Sequence, residues 1–127
     1  MRPMKIVLAE REAELMQSLW EHGPSTVTEV QRRLKDDLAY TTVLTILQKL
    51  ERKGYVKHAE EGRAHRFMAA IDRDAAQRSA VRDLAIKLFK GSTALLLTEL
   101  VKDESLSADD LKRIRRLLTR RHRGGQP

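Results

Sequence analysis

The chain has 127 residues, 41% of them hydrophobic and 4% aromatic, which suits one ordinary domain, or a small domain with an added helical module, around an aliphatic core. It has no cysteine, which excludes disulfides, thiolate metal sites and cysteine nucleophiles. The net charge of +7 favours a polyanionic partner. No apolar run approaches the ~20 residues of a membrane helix and no secretory signal is present, so we expect a cytoplasmic protein without membrane insertion.

The first two helices are predicted from their apolar spacing and their end signals. After a leader of residues 1–8, which we expect to be loose, a helix should cover residues 10–21 and end at His-Gly-Pro, residues 22–24. Residues 26–29, Thr-Val-Thr-Glu, match a capping box, in which the first side chain and the fourth each bond a backbone N–H group. The second helix should start there and run to about Leu34.

The third predicted helix lies within residues 38–54 and has two different faces. The apolar side chains recur at i, i+3, i+4 and i+7, namely Val43, Ile46, Leu47 and Leu50. The opposite face carries hydrogen-bonding and cationic side chains, namely Thr41, Thr45, Gln48, Lys49 and Arg52. Two interpretations are open at this point: a DNA recognition helix, or an ordinary amphipathic helix with a solvated polar face.

A change of period after Gly54 predicts a β-hairpin. Residues 55–60 and 65–69 are β-prone, and the turn between them contains a glycine. Three short helices followed by a hairpin are the order of a winged helix-turn-helix, so the fold is expected to be mainly α with a small β-hairpin. On this wing, Arg63 and Arg66 are candidates for contacts with a DNA backbone or minor groove.

Three further helices are predicted from Asp72 onward, the last of them capped by Ser107 and followed by a disordered tail, residues 122–127. We therefore expect a winged helix-turn-helix domain, residues 1–71, and a helical dimerisation domain with a basic tail, residues 72–127. About fifty residues are too few to enclose a core alone, which favours dimerisation; packing back onto the first domain is the alternative. The candidate dimerisation residues are Leu84, Leu88, Phe89, Leu95, Leu96, Leu100, Leu111, Ile114 and Leu118.

A series of stretches in this chain carries a family resemblance. In chain order they are Leu19-Trp20-Glu21-His22-Gly23-Pro24, Thr26-Val27-Thr28-Glu29-Val30, residues 38–56, Gly62-Arg63-Ala64-His65-Arg66-Phe67, Phe89-Lys90-Gly91-Ser92 and residues 106–118. Together, over about residues 8–120, they resemble the penicillinase-repressor family, which includes BlaI, MecI and the copper-responsive CopY.

The resemblance implies a homodimeric transcriptional repressor without enzymatic activity. Its winged helix would bind a palindromic operator, and its C-terminal helices would dimerise. Carried over by position, the DNA-binding surface of the third helix would consist of Thr41, Thr42, Thr45, Gln48, Lys49 and Arg52. Some family members are antibiotic-resistance regulators, released from DNA when a membrane sensor–protease triggered by β-lactam leads to cleavage in the dimerisation helices.

Three departures from the family pattern limit what transfers. The best-known members are cleaved at an Asn-Phe bond, and this chain has no asparagine; the copper-responsive branch has C-terminal cysteines, which are also absent. Ala39 stands where some relatives have serine, so whether Thr41 or Thr42 bonds the helix end or faces a base is open.

Other groups of residues in the sequence are weaker indications of function. No P-loop, zinc-protease or nucleophile-elbow motif is present, so we expect no enzyme, no cofactor and no metal site. A metal site at His58, Glu60, Glu61 and His65 is a minor alternative to solvated hairpin residues. The arginine-rich end, from Arg113 onward, is expected to be a solvated helix face, with non-specific attraction to DNA as the alternative. The rival functions are a protein-interaction scaffold and a non-specific architectural DNA binder.

Overall fold

A computed structural model describes residues 5–124 of the chain. The chain divides into two compact units, which separate between Ala80 and Val81. The elements in chain order are α1 (Glu10–His22), α2 (Val27–Arg33), α3 (Tyr40–Arg52), β1 (Val56–Glu61), β2 (Ala64–Ala69), α4 (Arg73–Leu88), α5 (Thr93–Lys102) and α6 (Ala108–Gly124). Among the residues described, no helix is long and apolar enough to span a membrane.

The core of the first unit lies where α1, α2 and α3 meet the base of the hairpin. Its innermost side chains are aliphatic, namely Leu15, Met16, Leu19, Val30, Val43, Leu47 and Leu50, and Phe67 closes it from β2. Full burial of one such side chain is worth about 1.5–3 kcal/mol, so this cluster holds the three helices together. The mainly α fold with a small hairpin is confirmed, in winged helix-turn-helix order.

Most residues at the ends of the helices have the hydrogen bonds and backbone conformations that the sequence predicts. Thr26 Oγ1 accepts from the Glu29 N–H (3.2 Å), and Glu29 Oε1 accepts from the Thr26 N–H (2.9 Å), which forms the predicted capping box of α2. Gly54 follows α3 with a φ of 85°, a left-handed conformation that glycine adopts without steric cost. The chain can therefore turn sharply from α3 into the wing.

The wing is an antiparallel hairpin in which Val56 pairs with Ala69 and Glu61 with Ala64. A third short segment, which the sequence did not predict, joins it. Ser25 and Phe67 exchange two backbone hydrogen bonds of 2.8 and 2.9 Å, so the turn before α2 extends the hairpin. A single bridging residue forms no repeating pattern of apolar and polar side chains, so the sequence gives no indication of it. This bridge fixes the base of the wing to the start of α2.

The segment before α1 is not loose where the structure describes it, which corrects the expectation for residues 5–8. The Ile6 N–H donates to Ser79 Oγ (3.0 Å) and the Val7 N–H donates to the Tyr55 hydroxyl (3.1 Å). Ile6 and Leu8 also pack against the core. The apolar residues of this segment therefore cover the core instead of facing solvent; residues 1–4 lie outside the described part of the chain.

The second unit contains the end of α4, together with α5 and α6. Ser107 Oγ accepts from the Asp110 N–H (3.0 Å), so the predicted cap of α6 forms, and Ser92 Oγ accepts from the Leu95 N–H (3.1 Å) and caps α5. The described residues of this unit include only two that are buried, Ala85 and Leu96. The expected disordered tail is wrong in part, because α6 continues through Gly124; residues 125–127 lie outside the described residues.

Candidate DNA-recognition surface

The two faces of α3 have opposite environments. Val43, Leu47 and Leu50 are fully buried. The side chains on the other face are all exposed, namely Thr41, Thr42, Thr45, Gln48, Lys49 and Arg52. Packing of the apolar stripe against α1 and α2 therefore fixes the rotation of α3, and the Thr/Gln/Lys/Arg face points to solvent.

The first turn of α3 has no side-chain cap. The helix begins at Tyr40 after Ala39, whose backbone has the extended conformation of an N-cap but whose methyl group accepts no hydrogen bond. Within the described chain, the hydroxyls of Thr41 and Thr42 form no hydrogen bond, so neither caps the helix and both face solvent. The Thr45 hydroxyl instead donates to the Thr41 carbonyl (2.8 Å), which leaves its methyl group and its oxygen lone pairs for a partner.

Side-chain hydrogen bonds hold α3 at both ends. At its start, Gln31 Nε2 donates to the Leu38 carbonyl (2.9 Å), which ties α2 to the residues that lead into α3. At its end, Lys53 Nζ donates to Glu12 Oε1 (2.8 Å), and the Glu12 side chain is almost completely buried in α1. Burial alone raises the pKa of Glu12, but the hydrogen bonds from Lys53 and from the Ala9 N–H outweigh it, so this pKa lies below its ordinary value.

The two wing arginines have different partners. Arg63 is exposed beside the hairpin turn and forms no ion pair within residues 5–124. Arg66 donates to Glu29 of the α2 capping box (3.1 Å) and, at a shorter distance, to Glu61 of β1. The hydrogen bonds with Thr26 and the charge of Arg66 hold the pKa of Glu29 below its ordinary value. Arg66 therefore connects the wing to α2, whereas Arg63 has a free guanidinium.

An open cleft of about 590 Å³ separates α3 from the wing. The residues that line it are Thr26, Val27, Thr28, Tyr40, Leu44, Gln48, Arg63, Ala64, His65 and Phe67. Tyr40 is 48% exposed at the edge of this cleft, so it is a surface residue. The cleft brings the glutamine of α3 and the free arginine of the wing to one side of the unit.

The histidines of the hairpin pair with each other and with carboxylates. The rings of His58 and His65 stack with their centroids 5.0 Å apart and an angle of 4° between their planes. His58 Nδ1 lies 2.5 Å from a carboxylate oxygen of Glu51 in α3, and His65 Nε2 lies 3.8 Å from one of Glu60. Each imidazole thus has its own carboxylate, and no group of three metal-ligating side chains occurs among the described residues.

The candidate dimerisation residues are mostly exposed within the second unit. Leu88 is 73% exposed, Leu95 50% and Leu118 52%, and Leu84, Leu100 and Leu111 are exposed to between 41% and 49%. Phe89 and Ile114 are half-buried. Leu96 differs, because only 6% of it is exposed within a single chain. Further large apolar residues outside the predicted set are also exposed, namely Val81, Ile86, Val101 and Leu117.

Some residues that shape this surface were missed from the sequence although a signal existed. Glu12 lies in the first turn of α1 between Glu10 and Glu14, a run of acids that by itself indicates only a favourable interaction with the helix dipole. It lies three, four and seven residues before Leu15, Met16 and Leu19, so the same spacing that marks the buried stripe also places Glu12 on it. The exposed position of Tyr40 had no such signal, because it depends on where the wing lies.

The fold and this surface define a winged helix-turn-helix protein whose third helix presents hydrogen-bonding and cationic side chains to solvent. The family model of the penicillinase repressor matches residues 8–120. The transcriptional regulator BlaI of Mycobacterium tuberculosis (strain CDC 1551 / Oshkosh) is 36% identical over 115 residues, which cover 87% of this chain and 82% of that protein. This chain therefore belongs to the penicillinase repressor family.

The chain also has more distant similarities to one curated regulator and to one solved structure. The methicillin resistance regulatory protein MecI of Staphylococcus aureus (strain N315) is 18% identical over 116 residues, which cover 90% of this chain and 94% of that protein. A MarR family protein from Bacillus stearothermophilus has a similar solved structure, with a TM-score of 0.50, 21% identity, and coverage of 94% of this chain and 76% of that one. The second similarity concerns the fold alone.

Proposed function

We propose that this chain is a homodimeric, sequence-specific transcriptional repressor that binds a palindromic operator through α3. The observation that carries this proposal is the two-sided environment of α3, with a fully buried aliphatic stripe and six exposed Thr, Gln, Lys and Arg side chains. Membership of a family of transcriptional repressors supports the same function.

The chemistry of the exposed face suits the major groove. Thr41, Thr42 and Thr45 lie toward the leading end of α3, where helix-turn-helix proteins read bases, and a threonine methyl can contact a thymine methyl. Gln48 is able to bond an adenine edge with both its amide atoms. Lys49 and Arg52 lie farther back, where they can neutralise phosphates and set the salt dependence of binding.

The wing is proposed to contact the DNA backbone or minor groove through Arg63, which has no internal partner among the described residues. Arg66 was predicted from the sequence to do the same. Its two carboxylate partners support a different role, in which it holds the wing against α2. In this proposal, Arg66 acts on DNA binding by positioning Arg63.

Dimerisation is proposed to occur through the second unit. Several of its large aliphatic side chains, which include Leu88, Leu95 and Leu118, are at least half exposed in a single copy, and contact with a second copy would cover them. A two-fold axis would then present two α3 helices to two half-sites, which is why the operator is expected to be palindromic. Any signal that separates the two copies would release the DNA, because each half binds alone with its own weaker affinity. A membrane sensor–protease is one candidate source of such a signal, although the chain has no asparagine for an Asn-Phe cleavage site.

The test starts from fragments of the source genome that the full chain selects. Binding of these fragments and of a random duplex is then titrated with wild type, Thr45→Ala and Arg52→Ala. We expect Thr45→Ala to cost about 1–3 kcal/mol on the selected fragment and little on the random duplex, and Arg52→Ala to weaken both equally and to reduce the salt slope. Equal losses on both duplexes for Thr45→Ala would reject a base-reading role for α3.

A further inference from the structure

The positive charge of this chain is concentrated in its last helix. Seven of the 25 basic residues lie between Lys112 and Arg123, and no acidic residue follows Asp110. The other 18 basic residues balance the 18 acidic residues, so the stretch from Leu111 to the end of the sequence accounts for the whole net charge of +7. Residues 1–80, which contain α3 and the wing, hold 14 basic and 12 acidic residues and have little net attraction for a polyanion.

Some of the cations of α6 form a line along one side of the helix. Four of them follow one another at i, i+4, i+8 and i+11, and we call them the cationic stripe: Lys112, Arg116, Arg120 and Arg123. The apolar residues Leu111, Ile114 and Leu118 lie on the opposite side of the same helix. A partner copy that covers the apolar side would therefore leave the cationic stripe in solvent.

Nothing within residues 5–124 neutralises this stripe. All four side chains are exposed, and none forms an ion pair with a carboxylate of the described chain, whereas Lys87 and Lys102 each have an acidic partner. Asp110, the last acid, is bonded to Ser107 at the start of the helix. The stripe is thus a line of free cations about 16 Å long at 1.5 Å per residue.

We propose that the cationic stripe of α6 binds the phosphates of duplex DNA without regard to sequence. A DNA strand presents one phosphate about every 3.4 Å along the helix axis, so a stripe of this length faces several of them. Six of the seven cations of α6 are arginines, whose planar fork binds phosphate oxygens in pairs. This inference rests on the proposed function, since it takes the same duplex as the partner.

Duplex DNA suits this helix better than an anionic membrane surface does. Helices that lie in a membrane interface insert aromatic and large aliphatic side chains into it. The apolar side of α6 has no aromatic residue, and two of its leucines, Leu111 and Leu118, are among the residues proposed for dimerisation. The stripe therefore adds affinity for DNA in general, while α3 chooses the sequence.

The experiment compares two full-length variants of equal charge. In the stripe variant, Lys112, Arg116, Arg120 and Arg123 are all changed to Gln. In the control, four exposed cations elsewhere, Arg78, Arg82, Lys87 and Lys102, are changed to Gln. Affinity for a random 30-base-pair duplex is measured by fluorescence anisotropy between 50 and 200 mM salt, and molecular mass by light scattering. We expect the stripe variant to bind about tenfold or more weakly, with a salt slope smaller by about 3–4 units, and the control to change little.

Further measurements distinguish the possible causes of a loss of DNA affinity. A variant with Arg116, Arg120 and Arg123 changed to Lys should keep most of the affinity, because it keeps the positive charge and loses only the paired bonds of the guanidinium. Unchanged helical circular dichroism of the stripe variant excludes misfolding of α6 as the cause. Equal losses in the stripe variant and the control would overturn the proposal, because net charge alone would then explain them. Retained DNA binding with lost binding to phosphatidylserine vesicles would overturn it in favour of a membrane surface. The preference for a selected fragment over the random duplex reports on α3 separately, so failure of the proposed function is distinguishable.

Discussion

Lys53 Nζ lies 2.8 Å from Glu12 Oε1, so the residue that follows α3 is bound to a carboxylate buried in α1. The same oxygen accepts from the Ala9 N–H (2.9 Å) at the start of α1. One carboxylate thus fixes the start of the first helix and the end of the third, and the orientation of the proposed reading surface depends on it.

This carboxylate should make stability sensitive to acid. Because the pKa of Glu12 is lowered from 4.5 in the folded chain, its contribution is complete above about pH 4.5 and is lost as the pH falls through the lower folded value. We expect Glu12→Gln to reduce the free energy of unfolding by about 1–2 kcal/mol at pH 7 and by less at pH 3. Urea unfolding at both pH values measures this.

The exposed Glu10 offers a matched control, because Glu10→Gln makes the same change in charge in the first turn of α1. It should leave the acid dependence nearly as in wild type. If the Glu12→Gln variant lost stability toward pH 3 as steeply as wild type does, the Glu12–Lys53 pair would not be the source of the acid sensitivity.

The uncapped start of α3 gives a prediction of increased stability. Ala39 already has the extended backbone of an N-cap, with φ −65° and ψ 150°, but it has no oxygen. Ala39→Ser should supply an acceptor for the free N–H groups of the first turn and raise the free energy of unfolding by about 0.5–2 kcal/mol. Thermal and urea unfolding measure the change, and Ala80→Ser inside α4 should give no such gain. A destabilised Ala39→Ser variant would contradict the assignment of Ala39 as the N-cap.

Substitutions at two leucines of the second unit should distinguish a loss of dimerisation from a loss of stability. Leu96 was predicted to lie in the dimer interface, but it is only 6% exposed within one chain, whereas Leu88 is 73% exposed. Leu88→Asp should therefore leave the helical circular dichroism intact, halve the mass in solution and reduce operator binding to that of a half-site. Leu96→Ala should cost about 2–4 kcal/mol of stability, because it opens a cavity inside the protomer. Leu88→Met is the control that keeps the apolar surface, and a dimeric Leu88→Asp variant would exclude this side of α4 from the interface.

The two wing arginines should give different salt signatures. Arg63 is exposed without an ion pair in the described chain, so Arg63→Gln should weaken binding to every duplex and reduce the salt slope by about 1. Arg66 is bonded to Glu29 and Glu61, so Arg66→Gln should weaken binding through a displaced wing and leave the slope close to that of wild type. Salt titrations of both variants on one operator duplex measure this. A slope reduced equally by both substitutions would assign Arg66 a direct phosphate contact.

The sequence predicted those parts of the structure that depend on local chemistry. The Thr26–Glu29 capping box, the caps at Ser92 and Ser107 and the glycine after α3 each follow from short-range rules, and each is present. The exposed face of α3 followed in the same way from helical spacing.

The parts that were missed depend on contacts between distant residues. The bridge of Ser25 to Phe67 and the packing of Ile6 on the core join segments far apart in sequence, which no local pattern records. The burial of Leu96 within one chain has a related cause, because spacing shows that a leucine belongs to an apolar stripe but not whether its own chain covers it.

Thr45 allows the chemistry of base reading to be separated into a methyl group and a hydroxyl. Its hydroxyl donates to the Thr41 carbonyl (2.8 Å), so the methyl group is the part with no partner inside the helix. Thr45→Ser removes the methyl and keeps the hydroxyl, while Thr45→Val keeps a methyl and removes the hydroxyl. If the methyl contacts a thymine methyl, Thr45→Ser should cost about 1 kcal/mol on the operator and Thr45→Val much less. Both should bind a random duplex like wild type in the same anisotropy titration. The reverse order, with Thr45→Val the weaker binder, would mean that the hydroxyl oxygen accepts a hydrogen bond from a base instead.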